Sequence, residues 1–278
     1  MLKKLFLITL ALSLMLMFAY GCAATAPPTG LGPTNELIKY TIQIELIKLD
    51  FELSKAATEL SRTGLSGEEA KNVLNGLATQ YPFIIDTCTT DPAGKMVTVA
   101  PDAYLNYEDT DISQQSVTIE FNKTKKPMLS QMFPAVEGIN AVVLIRPIVS
   151  QNGDFMGSVS ALFKPETLFA GPTEEQFAVY YKHWKDTPYS IDVFQLDGLD
   201  IYDSTGNDTG KNLFTDPTAQ QFTDLIALGH QMVAEERGTG SYTTIDPATG
   251  KTVKKHAYWS TVKLHDTVWR IMSAQVVD

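Results

Sequence analysis

The sequence predicts an α+β protein in which a long N-terminal helix is followed by two similar modules, each an antiparallel sheet flanked by helices. Apolar residues recur every three or four positions over residues 34–62, which is typical of one face of a long helix. Short alternating runs separated by turn sequences follow, and such runs are typical of antiparallel strands. The order hairpin, helix, three strands occurs twice at a spacing of about 100 residues, which indicates an internal repeat.

The first 22 residues have the organisation of an export signal. Lys3 and Lys4 precede an apolar stretch over residues 5–18, and small residues lead to Cys22. This stretch is too short for an ordinary membrane-spanning helix. It resembles a lipoprotein signal, in which Cys22 becomes the lipidated first residue of the mature chain, whereas an uncleaved N-terminal anchor is the alternative. Residues 23–33 are rich in Pro and Gly and are predicted to form a tether at the outer face of the cell membrane.

The N-terminal helical region is predicted to occupy residues 34–82. Its first helix covers about residues 34–62 and ends at Gly64. Ser66 and Glu69 have the spacing of a capping box, which predicts that a second helix begins there. The apolar stripe of the first helix is a candidate homodimer surface, although the two modules of the same chain could equally cover it.

The first module is predicted to span residues 83–170. Its expected elements are, in order, strands 83–89 and 96–100, a helix that begins at Asp111 or Ser113 and runs to Phe121, and strands 128–133, 139–149 and 155–163. Asn152-Gly153 joins the last two strands and favours the positive backbone angles of a tight hairpin turn. Cys88, in the first strand, is expected to be a small buried residue.

The second module, with the helix that links it to the first, is predicted to span residues 171–278. Its expected elements are a linker helix over residues 173–184, strands 190–196 and 199–203, a helix from Asp216-Pro217 to Glu236, and strands 240–245, 252–264 and 267–277. Trp259 and Trp269 are expected in the core of this module.

Several short motifs occur in a fixed order along both modules. In the first module they are residues 110–113 (TDIS), 126–130 (KPMLS), Glu137-Gly138, Pro147 before Asn152-Gly153, and 155–160 (FMGSVS). In the second they are residues 210–217 (GKNLFTDP), 240–242 (GSY), 257–259 (AYW) and Trp269-Arg270. With these motifs, residues 34–277 resemble a double Cache sensor domain, which has two PAS-like modules strung on one long N-terminal helix.

The resemblance implies extracellular recognition of a small molecule, usually in the first, membrane-distal module. Family members that bind amino acids carry an Arg-x-Trp-Tyr signature at the helix of this module and an Asp on its last strand. Here the corresponding helix region reads QQSVT over residues 114–118, and the strand offers Ser158, Ser160 and Leu162. Without an Arg for the carboxylate or an Asp for the ammonium group, an α-amino acid is not the expected ligand.

Nine residues are predicted to bind the ligand. Met128 and Ser130 match pocket positions of the family, and Tyr104, Gln115, Phe121, Phe133, Glu137, Ser158 and Ser160 are expected to line the same cup. This mixture of apolar walls, hydroxyls and one carboxylate suits a small neutral, weakly polar or cationic ligand. The alternative is structural, because Phe121 and Met128 have the spacing of core residues and the two serines could face solvent.

Composition and motifs argue against several other classes of protein. The net charge of −10 disfavours nucleic acid as a partner, and contact with a membrane is expected only through the N-terminal lipid. The four histidines have no metal-ligand spacing, and the acidic run from Asp197 to Asp208 does not fit a calcium loop. The sequence also contains no nucleophile elbow, phosphate-binding loop or Cys–His pattern, so neither an enzyme nor a cofactor is expected.

The predicted function is therefore extracytoplasmic small-molecule sensing by a lipoprotein. The sequence contains no second apolar span, so the signal is expected to leave through a separate membrane receptor or kinase. A solute-capture protein that feeds a transporter is the alternative. Bilobal transport receptors usually have parallel sheets, and the antiparallel meanders expected here argue against that fold.

Overall fold

The computed structural model describes residues 30–170, 189–247 and 249–277. The predicted signal peptide, Cys22, residues 23–29 of the predicted tether and the linker helix over residues 173–184 lie outside the described residues. No helix in the described ranges combines the length and apolarity needed to cross a membrane.

The described residues begin with two helices that end close to the predicted positions, but the first starts at Leu31 rather than at residue 34, so residues 31–33 of the predicted tether are helical. Helix α1 (Leu31–Thr63) has 33 residues and ends at Gly64, whose φ of 95° suits glycine. Helix α2 (Glu68–Gln80) follows, but the predicted capping box at Ser66 is wrong, since its N-cap is Gly67 and no side chain caps it. Two glutamates in the first turn provide favourable charge at the N-terminal end instead.

The first sheet contains six antiparallel strands. They are β1 (Ile84–Thr90), β2 (Met96–Ala100), β3 (Met128–Leu129), β4 (Phe133–Pro134), β5 (Asn140–Val149) and β6 (Phe155–Phe163). Their spatial order is β2-β1-β6-β5-β3, and β4 also pairs with β5. A 3₁₀ helix (Asp102–Tyr107) and helix α3 (Ser116–Thr124) connect β2 to β3, and helix α4 (Pro165–Ala170) follows β6. Gly153, with φ of 90°, forms the predicted β5–β6 turn.

Two predictions for this module are wrong in detail. The strand expected over residues 128–133 is split into β3 and β4, because the intervening backbone turns to other partners and Met132 N–H donates to Gln195 Oε1 at 2.6 Å. Helix α3 begins at Ser116 rather than at Asp111 or Ser113. The Asp111 carboxylate instead accepts a bond from Ser113 N–H at 2.9 Å and so stabilises a turn before the helix.

The second sheet has the same strand order as the first. Its strands are β7 (Tyr189–Gln195), β8 (Asp200–Asp203), β9 (Gly238–Ile245), β10 (Thr252–Leu264) and β11 (Thr267–Val276), in the order β8-β7-β11-β10-β9. The predicted internal repeat is therefore confirmed. The predicted helix from Asp216 is interrupted, however. Asp216 Oδ1 accepts a bond from Ala219 N–H at 3.2 Å, at the start of a short 3₁₀ helix (Ala219–Gln221), and the extended residue Phe222 separates that helix from helix α5 (Thr223–Ala234).

Helix α1 packs against both sheets and joins them in one apolar core. Its buried stripe, which includes Leu46, Leu49 and Leu53, forms one cluster with residues of both sheets, such as Leu144 and Ile271. The stripe considered as a homodimer surface is thus covered by the same chain. Four large apolar residues of α1 are nevertheless exposed, namely Tyr40, Ile44, Ile47 and Phe51. Homodimerisation through α1 stays a prediction that these residues would have to support.

Candidate ligand-binding site

The two faces of the first sheet have different surroundings, and strand β1 shows the division most clearly. Thr87 and Thr89 point towards the N-terminal helices, where their hydroxyls donate to the carbonyl oxygens of Leu74 at 3.1 Å and Leu65 at 2.6 Å. Successive side chains of a strand face opposite sides of the sheet. Asp86, Cys88 and Thr90 therefore face away from α1 and line a cavity.

Strands β5 and β6 complete the floor of this cavity. In the register of the sheet, Asp86 lies opposite Leu162 and Cys88 lies opposite Ser160. The Cys88 sulfur and the Ser160 hydroxyl oxygen are 3.2 Å apart. Helix α3 and residues 133–137 cover the floor. The cavity is small, about 50 Å³, and partly open to solvent, so it suits a compact ligand.

Helix α3 is held over the sheet by its own apolar face. Val117 and Phe121, four residues apart, are buried in a cluster that includes Phe133 and Leu162. The helix ends at Lys125, which adopts a left-handed conformation with φ of 50°. Its polar residues Gln115 and Thr118 also line the cavity. One helix therefore supplies both the packing that closes the site and part of the polar lining.

Six of the nine predicted binding residues line this cavity, and their contact with a ligand stays a prediction. These are Gln115, Phe121, Phe133, Glu137, Ser158 and Ser160. The other three do not line it. Tyr104 stacks on Tyr107 with ring centroids 6.2 Å apart, and Met128 packs against the apolar cluster under α3. The Ser130 hydroxyl accepts a bond from Val143 N–H at 2.9 Å, so it completes the sheet instead.

Asp86 is one of the cavity residues that are absent from the nine predicted binding residues. It is only 3% exposed, and its Oδ2 atom is buried without a hydrogen-bond partner among the described residues. Burial raises the pKa of Asp86 well above its usual value, and the nearby Glu137 carboxylate raises it further. The available signal was a single acidic residue inside an otherwise uncharged strand, since residues 83–90 read FIIDTCTT.

Two other titratable groups of the cavity are also perturbed. Burial raises the pKa of the half-buried Glu137. Burial, with a further contribution from Asp86, raises the pKa of the Cys88 thiol to about 12. Cys88 is therefore protonated at neutral pH, which makes it an unreactive thiol rather than a nucleophile. Its predicted burial is confirmed.

The second module contains another cavity, of about 110 Å³, on the corresponding side of its sheet. Its acidic lining includes Asp192, Asp200, Asp203 and Asp208. Much of this acidity is used structurally, because the Asp203 carboxylate accepts bonds from the N–H groups of Thr205 at 2.8 Å, Asn207 at 2.9 Å and Asp208 at 3.0 Å. These bonds hold the turn after β8. Trp259 and Trp269 are buried in the second module, which confirms that prediction.

The two-module fold and its cavity are similar to those of ligand-binding sensor domains, and the comparisons with known proteins show the same likeness. Residues 44–165 match the family model described as HK/GC/Chemotaxis protein-like, sensor domain. The predicted resemblance to extracellular Cache-type sensor domains is therefore confirmed. No curated protein matches the chain.

Three solved structures illustrate the likeness. An extracellular ligand binding receptor from Desulfohalobium retbaense is 29% identical, with a TM-score of 0.68 over 87% of this chain. The present chain spans only 40% of the length of that receptor. The ligand-binding domain of the Pseudomonas fluorescens chemoreceptor CtaA, in complex with L-isoleucine, is 12% identical, with a TM-score of 0.58 over 87% of this chain and 89% of that one. The ligand-binding domain of the Pseudomonas aeruginosa amino acid chemoreceptor PctB, in complex with L-Arg, is 15% identical, with a TM-score of 0.58 over 87% of this chain and 92% of that one. At these low identities, the two chemoreceptor domains support the fold alone.

Proposed function

We propose that this chain senses a small molecule outside the cytoplasm by binding it in the cavity of the first module. The observation that carries this proposal is the cavity itself, in which polar groups from β1, β6 and residues 133–137 converge between apolar walls. The similarity to extracellular sensor domains supports the same role. Nothing in the lining resembles a nucleophile paired with a base, so a binding function fits the described residues better than catalysis.

A route for the signal is supported by contacts between the cavity wall and the second module. Residues 129–137 lead into the wall, and two of them are bonded to the second sheet. Thr267 Oγ1 donates to Leu129 O, and Met132 N–H donates to Gln195 Oε1. A ligand that shifts residues 133–137 would therefore act on the second module. From there, we propose that the signal passes to a separate membrane receptor or kinase.

Attachment to the membrane is proposed to occur through lipidated Cys22. This proposal is supported by the basic, apolar and small-residue segments that precede the cysteine. We expect the protein extracted from membranes to begin at Cys22 and to carry a diacylglyceryl group in intact-mass analysis. Cys22→Ser should retain the signal and lose the lipid mass. An unmodified N-terminus at Met1 in the unaltered protein would contradict lipidation.

Blocking the mouth of the cavity tests the binding function. Val136 lines the cavity and is 36% exposed, so Val136→Trp places a bulky side chain at the opening with little burial to disturb. A thermal-shift screen of small amines, carboxylates, sugars and purines should first identify a ligand. At about 100 times its dissociation constant, a ligand adds about 2.7 kcal/mol to the free energy of unfolding, or a shift of several degrees. Val136→Trp should weaken binding by about tenfold or more.

The matched control is Val149→Trp, which makes the same change at an exposed valine outside this cavity. It should leave the affinity unchanged. Equal affinity of both variants and the unaltered protein would place the ligand elsewhere. If uptake of the ligand through a permease instead depends on this protein, the solute-capture alternative is favoured over sensing.

A further inference from the structure

We propose that the cavity of the first module selects a small organic cation, such as a primary alkylammonium ion, and that Asp86 provides its counter-charge. This inference rests on the proposed function, because it assigns a chemical class to the ligand of the same site. It goes beyond the ligands named for similar structures, which are amino acids.

The unpartnered oxygen of Asp86 is the first observation. The carboxylate lies in the middle of β1, opposite Leu162, and is 3% exposed. Its Oδ2 atom accepts no hydrogen bond from the described residues. A buried polar atom without a partner is costly, so such an atom is rare unless a ligand or function uses it. An ammonium group has three N–H donors and would satisfy this oxygen.

The charge of the cavity lining is the second observation. Three acidic residues line it, Asp86, Asp91 and Glu137, and among the described residues no Lys, Arg or His does so. Asp91 is already engaged, since its Oδ1 accepts bonds from the N–H groups of Ala93 and Lys95, both at 2.9 Å. Asp86 and Glu137 remain, and the Glu137 carboxylate disfavours the ionised form of Asp86. A bound cation relieves this repulsion.

The same charges disfavour an α-amino acid. Its ammonium group would suit Asp86, but its carboxylate would lie in a cavity where the described lining supplies acids and no counter-ion. Burying a carboxylate without a partner is strongly unfavourable. The cavity thus distinguishes an amine from the amino acid of the same carbon skeleton.

The walls indicate the rest of the ligand. Phe121, Phe133, Val143, Ile145 and Leu162 provide apolar surface around the acidic groups. A branched aliphatic or aromatic body on the amine would bury its carbon atoms against these side chains. The structure therefore fits a monoamine with an apolar body better than a strongly polar polyamine.

Three compounds that share a 3-methylbutyl group test this inference. They are 3-methylbutylamine, the neutral 3-methylbutan-1-ol, and L-leucine, which adds a carboxylate to the amine. 2-Phenylethylamine is included as a larger amine. In isothermal titration calorimetry, we expect one of the amines to bind about tenfold or more tightly than the alcohol, a difference of about 1.4 kcal/mol. L-Leucine should bind no better than the alcohol.

The variant Asp86→Asn tests whether the amine binds in the cavity of the first module. It should lower the affinity for the amine about tenfold or more and leave the affinity for the alcohol nearly unchanged. The matched control is Asp192→Asn, which removes the same charge from the acidic cavity of the second module. This control should leave amine binding unchanged. Melting curves of both variants establish that they are folded.

The pH dependence provides an independent readout. The titratable groups facing Asp86 are Glu137, Cys88, Asp91 and Tyr104, while the cavity residues of α3, β5 and β6 are not titratable. Because the pKa of Asp86 is raised, protons compete with the cation, and amine affinity should increase from about pH 5 to pH 8. Asp86→Asn should flatten this dependence, and alcohol binding should vary little.

Each contrary outcome has a definite meaning. If the alcohol or L-leucine binds as well as the amine, and Val136→Trp still blocks binding, the cationic class is wrong while the sensing function stands. If Asp192→Asn abolishes amine binding and Asp86→Asn does not, the cation site is in the second module and the inference is overturned. If neither amine binds at about 10 mM, the inference also fails, and the wider screen then decides the proposed function.

Discussion

Asp50→Ala is expected to lower the free energy of unfolding by about 2–4 kcal/mol. Asp50 lies on α1 and is largely buried, with 12% of its side chain exposed. Its Oδ1 accepts a bond from Arg146 Nε at 2.8 Å and contacts His265 Nε2 at 2.9 Å, while Oδ2 pairs with Arg146 Nη2. Removing one member of a buried ion pair is strongly destabilising, because the remaining charge loses its partner. Urea denaturation followed by circular dichroism measures the change.

Asp50 contacts residues of both modules, so the loss of its carboxylate should affect both. Arg146 belongs to β5 of the first sheet, whereas His265 lies in the turn between β10 and β11 of the second. One carboxylate on α1 therefore fixes both sheets to the helix. We expect Asp50→Ala to reduce the cooperativity of unfolding as well, since each module loses a tie to the shared core.

Glu52→Ala is the matched control on the same helix. Glu52 pairs with Lys55, whose side chain is 61% exposed, and exposed ion pairs contribute about 0–1 kcal/mol. The double variant Asp50→Leu, Arg146→Met should recover part of the loss, because it removes the unpaired charge as well. Equal destabilisation by Asp50→Ala and Glu52→Ala would show that the Asp50 network does not hold the sheets.

Gly157→Ala is expected to be the most damaging single methyl addition, at about 3–5 kcal/mol. Gly157 has a φ of 139°, and a Cβ atom there would lie 2.1 Å from the carbonyl oxygen of Thr90. Both the backbone conformation and the contact oppose a side chain. Relief would require β1 and β6 to separate next to the Thr90–Ser158 pair, where both residues line the cavity. The melting midpoint should fall by roughly 6–20 °C, at about 2–4 °C per kcal/mol, and ligand binding should weaken.

The variant Gly153→Ala separates the effect of the backbone conformation from the effect of the steric contact. Gly153 also has a positive φ, of 90°, but an added Cβ would have nothing within 4 Å. Its cost should be limited to the backbone conformation, about 1–2 kcal/mol. Differential scanning calorimetry of the two variants compares them directly. A loss for Gly157→Ala no larger than that for Gly153→Ala would contradict the close approach of β6 to β1.

Much of the fold could be predicted from local sequence patterns. The 3.6-residue periodicity along α1 and the apolar runs of β5 and β6 on either side of the Asn152-Gly153 turn depend on neighbouring residues alone, so these elements were located closely. Element ends were less predictable where distant groups compete for the backbone. Met132 is the clearest example, because its N–H donates to Gln195 of the other module and so interrupts the expected strand.

In the candidate site, too, local patterns predicted some residues correctly, and partners distant in sequence decided the others. Alternation along β6 correctly placed Ser158 and Ser160 on the cavity face. The resemblance to the family placed Ser130 among the candidates, although its hydroxyl accepts a bond from the backbone N–H of Val143. Whether a polar side chain on a strand serves a ligand or the sheet depends on a partner that is distant in sequence.

The sequence by itself determined the repeat of two antiparallel modules on one helix, because periodicity and turn chemistry are local properties. Only the tertiary structure decided the character of the site. Asp86 is an ordinary aspartate in the strand sequence, and it becomes a buried carboxylate without a partner because α3 and residues 133–137 close over β1. Desolvation and charge repulsion depend on which groups meet in space, and residues about 30 to 50 positions apart meet here only after folding.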